Sequence, residues 1–170
     1  MTNSPATYCL DANVLIQAWQ KYYSPKLCPD YWNILNALGK NGSIFLAEEI
    51  HQEITRTEDD LTDWLKKSDI TIKKTDGNVI GCWKKILNSD PIHKLLVDDV
   101  KGRSLGDPWL IAHAINLGAT VVTKEASLTA TNSKRIRIPH VCDNMGVRWV
   151  DDFTFIEEVG IHFRCSLKQP

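Results

Sequence analysis

Asp11, Glu53, Asp107 and Glu125 are far apart in the chain but fall at equivalent places in its pattern. Asp11 ends an apolar run in Leu10-Asp11-Ala12-Asn13-Val14, and Glu53 lies on the helix expected after the second strand. Asp107 opens a strong helical pattern in Gly106-Asp107-Pro108-Trp109-Leu110, and Glu125 follows a β-branched run in Val122-Thr123-Lys124-Glu125. Carboxylates that converge without partners repel one another, and their pKa values rise. A hard divalent cation, Mg2+ or Mn2+, prefers oxygen ligands and removes that repulsion. Such an ion activates water and offsets charge on a phosphodiester, so this composition suits phosphodiester hydrolysis. Each acid also has an ordinary role open to it. Asp107 before Pro108 reads as a helix cap, and Asp11 as a turn residue. Glu53, and Glu49 one turn earlier, fit a solvated helix face. The set carries the argument, not any one member.

Other polar residues fall near these acids. Asn13 is placed to orient Asp11 or a water, or to stabilise the strand exit as a turn residue. Ser104 and Thr123 flank the acids and can position phosphate or water, or serve as plain loop hydroxyls. Lys134-Arg135-Ile136-Arg137 is the best local phosphate-binding run, with a solvated surface run as the alternative. Most of the six tryptophans sit at helical spacing with aliphatics, as core residues do. Trp19 and Trp109 stand apart because they flank acidic motifs, and Trp109 is a candidate cleft wall. The five histidines have no HExxH spacing, and His113 on an apolar helix face reads as a core residue. Neither a GxGxxG nor a P-loop occurs, so a nucleotide cofactor is unsupported.

The elements that must position these residues alternate. Strands are expected at 7–10, 43–46, 70–73, 119–123 and 146–150, with a loop carrying Pro25 and Pro29 after Asp11. Helices are expected at 31–38, 48–54, 60–67, 78–87, 91–100, 108–117, 141–145 and 153–159, with residues 135–139 extended. Gly118 stops the helix that begins near Asp107. Alternation of this kind implies an α/β fold with a mainly parallel central sheet and helices on both faces. Right-handed crossovers then gather the strand C-terminal ends, and the acids with them, along one edge.

The 170 residues suit one domain spanning residues 1–170, with no repeat or linker to divide them. Five scattered cysteines without a CxxC pair argue against a zinc ribbon or a thioredoxin-like site. No apolar run is long enough to span a bilayer, and no signal peptide is evident, so no membrane partner and a cytoplasmic location are expected. A net charge of −1 argues against a protein that coats nucleic acid by bulk charge, but not against one with a local basic patch.

Taken in order, Leu10-Asp11-Ala12-Asn13-Val14-Leu15-Ile16, Gly106-Asp107-Pro108-Trp109-Leu110-Ile111-Ala112 and Val121-Val122-Thr123-Lys124-Glu125 resemble the PIN-domain nucleases, including toxins of bacterial toxin–antitoxin pairs. The resemblance implies a three-layer α/β/α sandwich and an acidic Mg2+ or Mn2+ site that cleaves single-stranded RNA to a 5′-phosphate and a 3′-hydroxyl. It makes Asp11, Glu53 and Asp107 the principal metal-binding acids. Glu125 stands where many relatives have Asp, and Glu49 competes with Glu53. It also implies an antitoxin partner and a homodimer. Two other readings remain: a PIN-like interaction module without activity, and a haloacid-dehalogenase-like phosphatase using Asp11 with Asp151-Asp152. Asn13 counts against the phosphatase, whose chemistry wants a second acid there.

Overall fold

The run before Asp11 forms β1 (Tyr8–Leu10), and all of it is buried. In the computed structural model, which describes residues 6–97, 105–127 and 136–167, α1 (Ala12–Gln17) starts directly after Asp11. Residues Ala18–Tyr22 continue it as a π-helix. This corrects the loop expected after Asp11: the loop is confined to the Pro25 region, before α2 (Pro29–Lys40). The short helical stretch was hidden because Val14, Leu15 and Ala18 are too few to establish a 3.6-residue period.

β2 (Ile44–Ala47) leads into α3 (Glu48–Ile54), α4 (Asp60–Lys67) and β3 (Thr71–Lys73). Next come α5 (Gly77–Ser89) and a 3-10 helix at Pro91–Leu96, where a longer helix to residue 100 was expected. Residues 98–100 lie outside the described residues. After α6 (Asp107–Leu117), β4 (Thr120–Val122) and α7 (Ile138–Met145), the chain forms β5 (Trp149–Val150) and α8 (Asp152–Glu158). Ile138 and Pro139, expected to be extended, are the first turn of α7. Proline fits there because the first helical N–H groups lack intrahelical partners anyway.

The sheet order is β3-β2-β1-β4-β5, and every pairing is parallel. Strands buried on both faces read as continuous apolar runs, as Ile44–Ala47 and Thr120–Val122 do. From β1 the chain moves through β2 to β3 at one edge, then returns to β4 and β5 at the other. Right-handed crossovers put the helices of these two excursions on opposite faces, giving the three-layer α/β/α architecture. α6 packs along β1, β2 and β4, and α5 packs on α6. Gly118, at φ 62°, ends α6 in the left-handed region that favours glycine.

Among the described residues, no helix is long and apolar enough to cross a membrane. Trp19, Trp32 and Trp64 form an edge-on aromatic cluster, with centroids 4.6 Å (Trp19–Trp32) and 4.9 Å (Trp32–Trp64) apart. Trp19 is therefore a packing residue.

Candidate active site at the switch point

β1 and β4 are neighbours whose onward connections run in opposite directions, so the sheet's switch point lies at their C-terminal ends. Leu10 pairs with Val122. The next residues, Asp11 and Thr123, therefore leave the sheet side by side. The Asp11 N–H donates to the Val122 carbonyl at 2.9 Å, and the Thr123 hydroxyl donates to Asp11 Oδ2 at 3.0 Å. Both residues are buried, Asp11 at 2% exposure.

Burial pushes the Asp11 carboxyl up to about 7, and the charges of Glu125 and Glu53 push the same way. The Thr123 hydroxyl and the Asn13 backbone N–H oppose the rise but do not cancel it. Asn13 thus acts on Asp11 through its main chain, while the residue itself is exposed.

Glu53 is half-buried on α3, and burial raises its pKa while Arg56 pulls it down. Its carboxylate lies against the start of α6: a Cβ built on Gly106 would stand 3.3 Å from Glu53 Oε2. Gly106 is the residue that caps α6, so Asp107 is the first helical residue rather than the cap, and it is 7% exposed. A carboxylate in a helix's first turn is favoured by the helix dipole.

Glu125 has a local task. Its Oε2 accepts the Ile138 N–H at 2.8 Å, which satisfies one of the open donors at the start of α7. Its own N–H donates to the Thr123 hydroxyl at 3.1 Å. Arg137, half-buried at the cap position of α7, donates to the Ala126 carbonyl at 3.3 Å. Ser104, Lys134 and Arg135 lie outside the described residues.

Glu49 faces elsewhere. It accepts the Thr75 hydroxyl through Oε1, and its Oε2 is 3.6 Å from His113 Nε2. His113 is buried, 3.2 Å from the Thr75 hydroxyl, and burial lowers its pKa against the pull of Glu49. This trio joins α3, the β3–α5 loop and α6 around the buried His113. Sequence reading missed it, because only the fold brings residues 49, 75 and 113 together.

Asp151 and Asp152, the acids the phosphatase reading needs, are committed to structure. Asp151 caps α8 by accepting the Thr154 N–H, and Asp152 pairs with Lys124 at 2.5 Å. Among the described residues, no three Asp, Glu, His or Cys side chains are grouped so as to hold a metal ion.

Residues 8–163 match the family described as Domain of unknown function (DUF4411). The chain belongs to this family. No curated protein matches the DUF4411 chain in sequence. In structure it is similar to a chain in the crystal structure of VapBC2 from Rickettsia felis bound to a DNA fragment from their promoter. The TM-score is 0.55 at 16% identity, covering 85% of the DUF4411 chain and 98% of the other. With its parallel sheet and order of elements, the DUF4411 chain has the PIN-like fold that its motifs implied.

Proposed function

We propose that this chain is a Mg2+- or Mn2+-dependent endoribonuclease that cleaves single-stranded RNA, with Asp11, Glu53 and Asp107 as the acids that hold the ion and Glu125 beside them. The observation that carries the reading is Asp11: a buried carboxyl at the switch point, pushed up to about 7 by burial and by two neighbouring acids. A structural aspartate in such a place would be expected to have a cationic partner. Among the described residues, the donors that approach Asp11 are instead a hydroxyl and a main-chain N–H. The all-oxygen character of the acids fits a hard cation rather than zinc or copper. When bound, such a cation supplies charge to offset the phosphodiester and to acidify water.

The chain's own residues would then have distinct tasks. The Thr123 hydroxyl and the Asn13 N–H hold the Asp11 carboxylate in one orientation. Glu53 and Asp107 approach from α3 and α6 at the same sheet edge. Glu125 fixes the start of α7 through Ile138 and adds negative charge at Asp11. Arg137, with Lys134, Arg135 and Ser104, is the proposed phosphate-facing group. In-line attack by water on phosphorus forms one P–O bond and breaks the bond to the 3′-oxygen. That leaves a 5′-phosphate on one fragment and a 3′-hydroxyl on the other.

The motif resemblance extends the reading to a single-domain cytoplasmic toxin with an antitoxin protein and a homodimeric state. The neighbouring VapBC2 structure, which is bound to DNA from its promoter, is in keeping with that extension.

The test is cleavage of a mixed-sequence single-stranded RNA with Mn2+ or Mg2+, by wild type, by Asp11→Asn and by wild type with chelator. Cleavage lost with both the substitution and the chelator is expected; removing such a group from a site of this kind lowers rates by roughly a hundredfold or more. Undiminished cleavage by Asp11→Asn would sink the assignment. A second reading, an interaction module without activity, is favoured by the commitment of Glu125 to the Ile138 N–H and by the absence of a preformed three-acid group among the described residues. Mn2+ titration separates the two, since such a module binds no Mn2+ in a manner that depends on Asp11.

A further inference from the structure

Trp109 follows Asp107 and Pro108 in the first turn of α6. Its ring stacks on Trp83 of α5, with centroids 5.0 Å apart and planes 4° from parallel. The two rings wall a cavity of about 400 Å³ that Leu87, Leu105, Pro108 and Lys94 also line. Both tryptophans are only half-buried, Leu105 is 41% exposed, and Lys94 is exposed. Lys94 is the one charged side chain among the described residues of the lining. Two of its lining residues, Leu105 and Pro108, flank Gly106-Asp107 in the chain, which puts the cavity beside the start of α6.

We infer that this cavity is a nucleobase subsite, in which one base of single-stranded RNA stacks on the Trp83–Trp109 pair while Lys94 meets the neighbouring phosphate. The inference rests on the nuclease reading and deepens it by naming where a base next to the cut is held. Flat indole faces beside a single cation match a nucleotide, which presents a flat ring beside a single anion. Every base has a π-face, so stacking of this kind tolerates any sequence and adds affinity that phosphate contacts alone do not. A protein segment would gain from the apolar lining but would not need the lysine beside it. The parallel indole pair holds its rings rigid, so little ordering is required when a base arrives.

The experiment uses two labelled six-nucleotide strands, one of RNA and one with the same phosphates but abasic sugars. Binding to the full chain is read by fluorescence anisotropy in chelator, where no cleavage occurs. Wild type is expected to prefer the strand with bases by roughly tenfold, Trp109→Leu to lose that preference, and Trp109→Phe to keep most of it. Lys94→Gln is expected to weaken both strands alike and to flatten the salt dependence. Equal binding of the two strands by wild type, or a preference that survives in Trp109→Leu, overturns the subsite. If Trp109→Leu does not fold by circular dichroism, Lys94→Gln decides: unchanged binding and salt slope overturn the proposal. Self-association that Trp109→Leu disrupts, without any base preference, would assign the face to a second copy and overturn it too. Cleavage in Mn2+ is scored separately. A base preference without cleavage fells the nuclease reading alone, and cleavage without a Trp109-dependent preference fells the subsite alone.

Discussion

Asp11 is held where water cannot solvate its charge, and the consequence can be measured without any metal or RNA. Its folded pKa of about 7 lies above the ordinary 3.8. Between those values the folded protein keeps a proton that the unfolded chain has released. The associated stability is therefore fully present below about pH 4 and is lost as pH rises through about 7. Asp11→Asn removes the titration while keeping an oxygen for the Thr123 hydroxyl. In chelator it should match wild type near pH 4 and exceed it by about 2–4 kcal/mol above pH 7. Urea midpoints at the two pH values measure this, and curves that stay parallel would show that Asp11 is not the strained group. The places of Asp11, just past β1, and of Asp107, at the start of α6, were legible in the sequence because an apolar run ends at the one and a helical pattern begins at the other. The Thr123 link to Asp11 was not, since the two residues are 112 positions apart and meet only through the β1–β4 register. Nor could spacing show that Glu49 turns to Thr75 and His113 while Glu53 turns toward Gly106, because both acids lie on one short helix.

At the scale of elements, α3 and α6 meet at Gly106, and the lack of a side chain there sets how closely they approach. A Cβ on Gly106 would stand 2.9 Å from Ile50 Cδ1 and 3.3 Å from Glu53 Oε2. The backbone, at φ −80°, accepts alanine without strain, so only the contacts object. Ile50 is fully buried and has little room to yield. Gly106→Ala should therefore lower stability by about 1–2 kcal/mol through overpacking. It should also displace the Glu53 carboxylate and reduce RNA cleavage by roughly tenfold or more, since small misplacements of reacting groups are costly. Wild-type turnover in Gly106→Ala would mean that Glu53 does not serve the acidic site. Most elements could be read from periodicity and turn residues, including α3, α4 and α6, whose apolar positions repeat over whole turns. The failures have physical causes. α1 and its π-helical continuation are too short to display a period, and Pro139 looks like a helix breaker but occupies a first turn that tolerates it.

Across the whole molecule, a parallel sheet must hold its C-terminal edge in register without hairpins, and β5 offers only Trp149–Val150 for the purpose. The far side of that edge is tied by Lys124, just past β4, whose ammonium lies 2.5 Å from Asp152 at the start of α8. The pair is largely shielded, at 13% and 8% side-chain exposure. The rings of Tyr22 and Phe153 lie 4.6 and 5.5 Å from the same ammonium. One cation thus joins the π-helix after β1, the end of β4 and the start of α8. Removing one partner of such a pair leaves the other charge buried and unmatched, which destabilises far more than the pair itself contributes. Lys124→Met or Asp152→Leu alone should therefore lower stability by about 2–4 kcal/mol. The double variant Lys124→Met/Asp152→Leu should recover much of that loss, because apolar groups of similar size pack against Tyr22 and Phe153 without a charge to bury. Urea denaturation of the three variants measures the coupling. If the two single losses simply add in the double variant, the tie is not an ion pair, and the edge is held by the β4–β5 ladder and the packing of α8 instead.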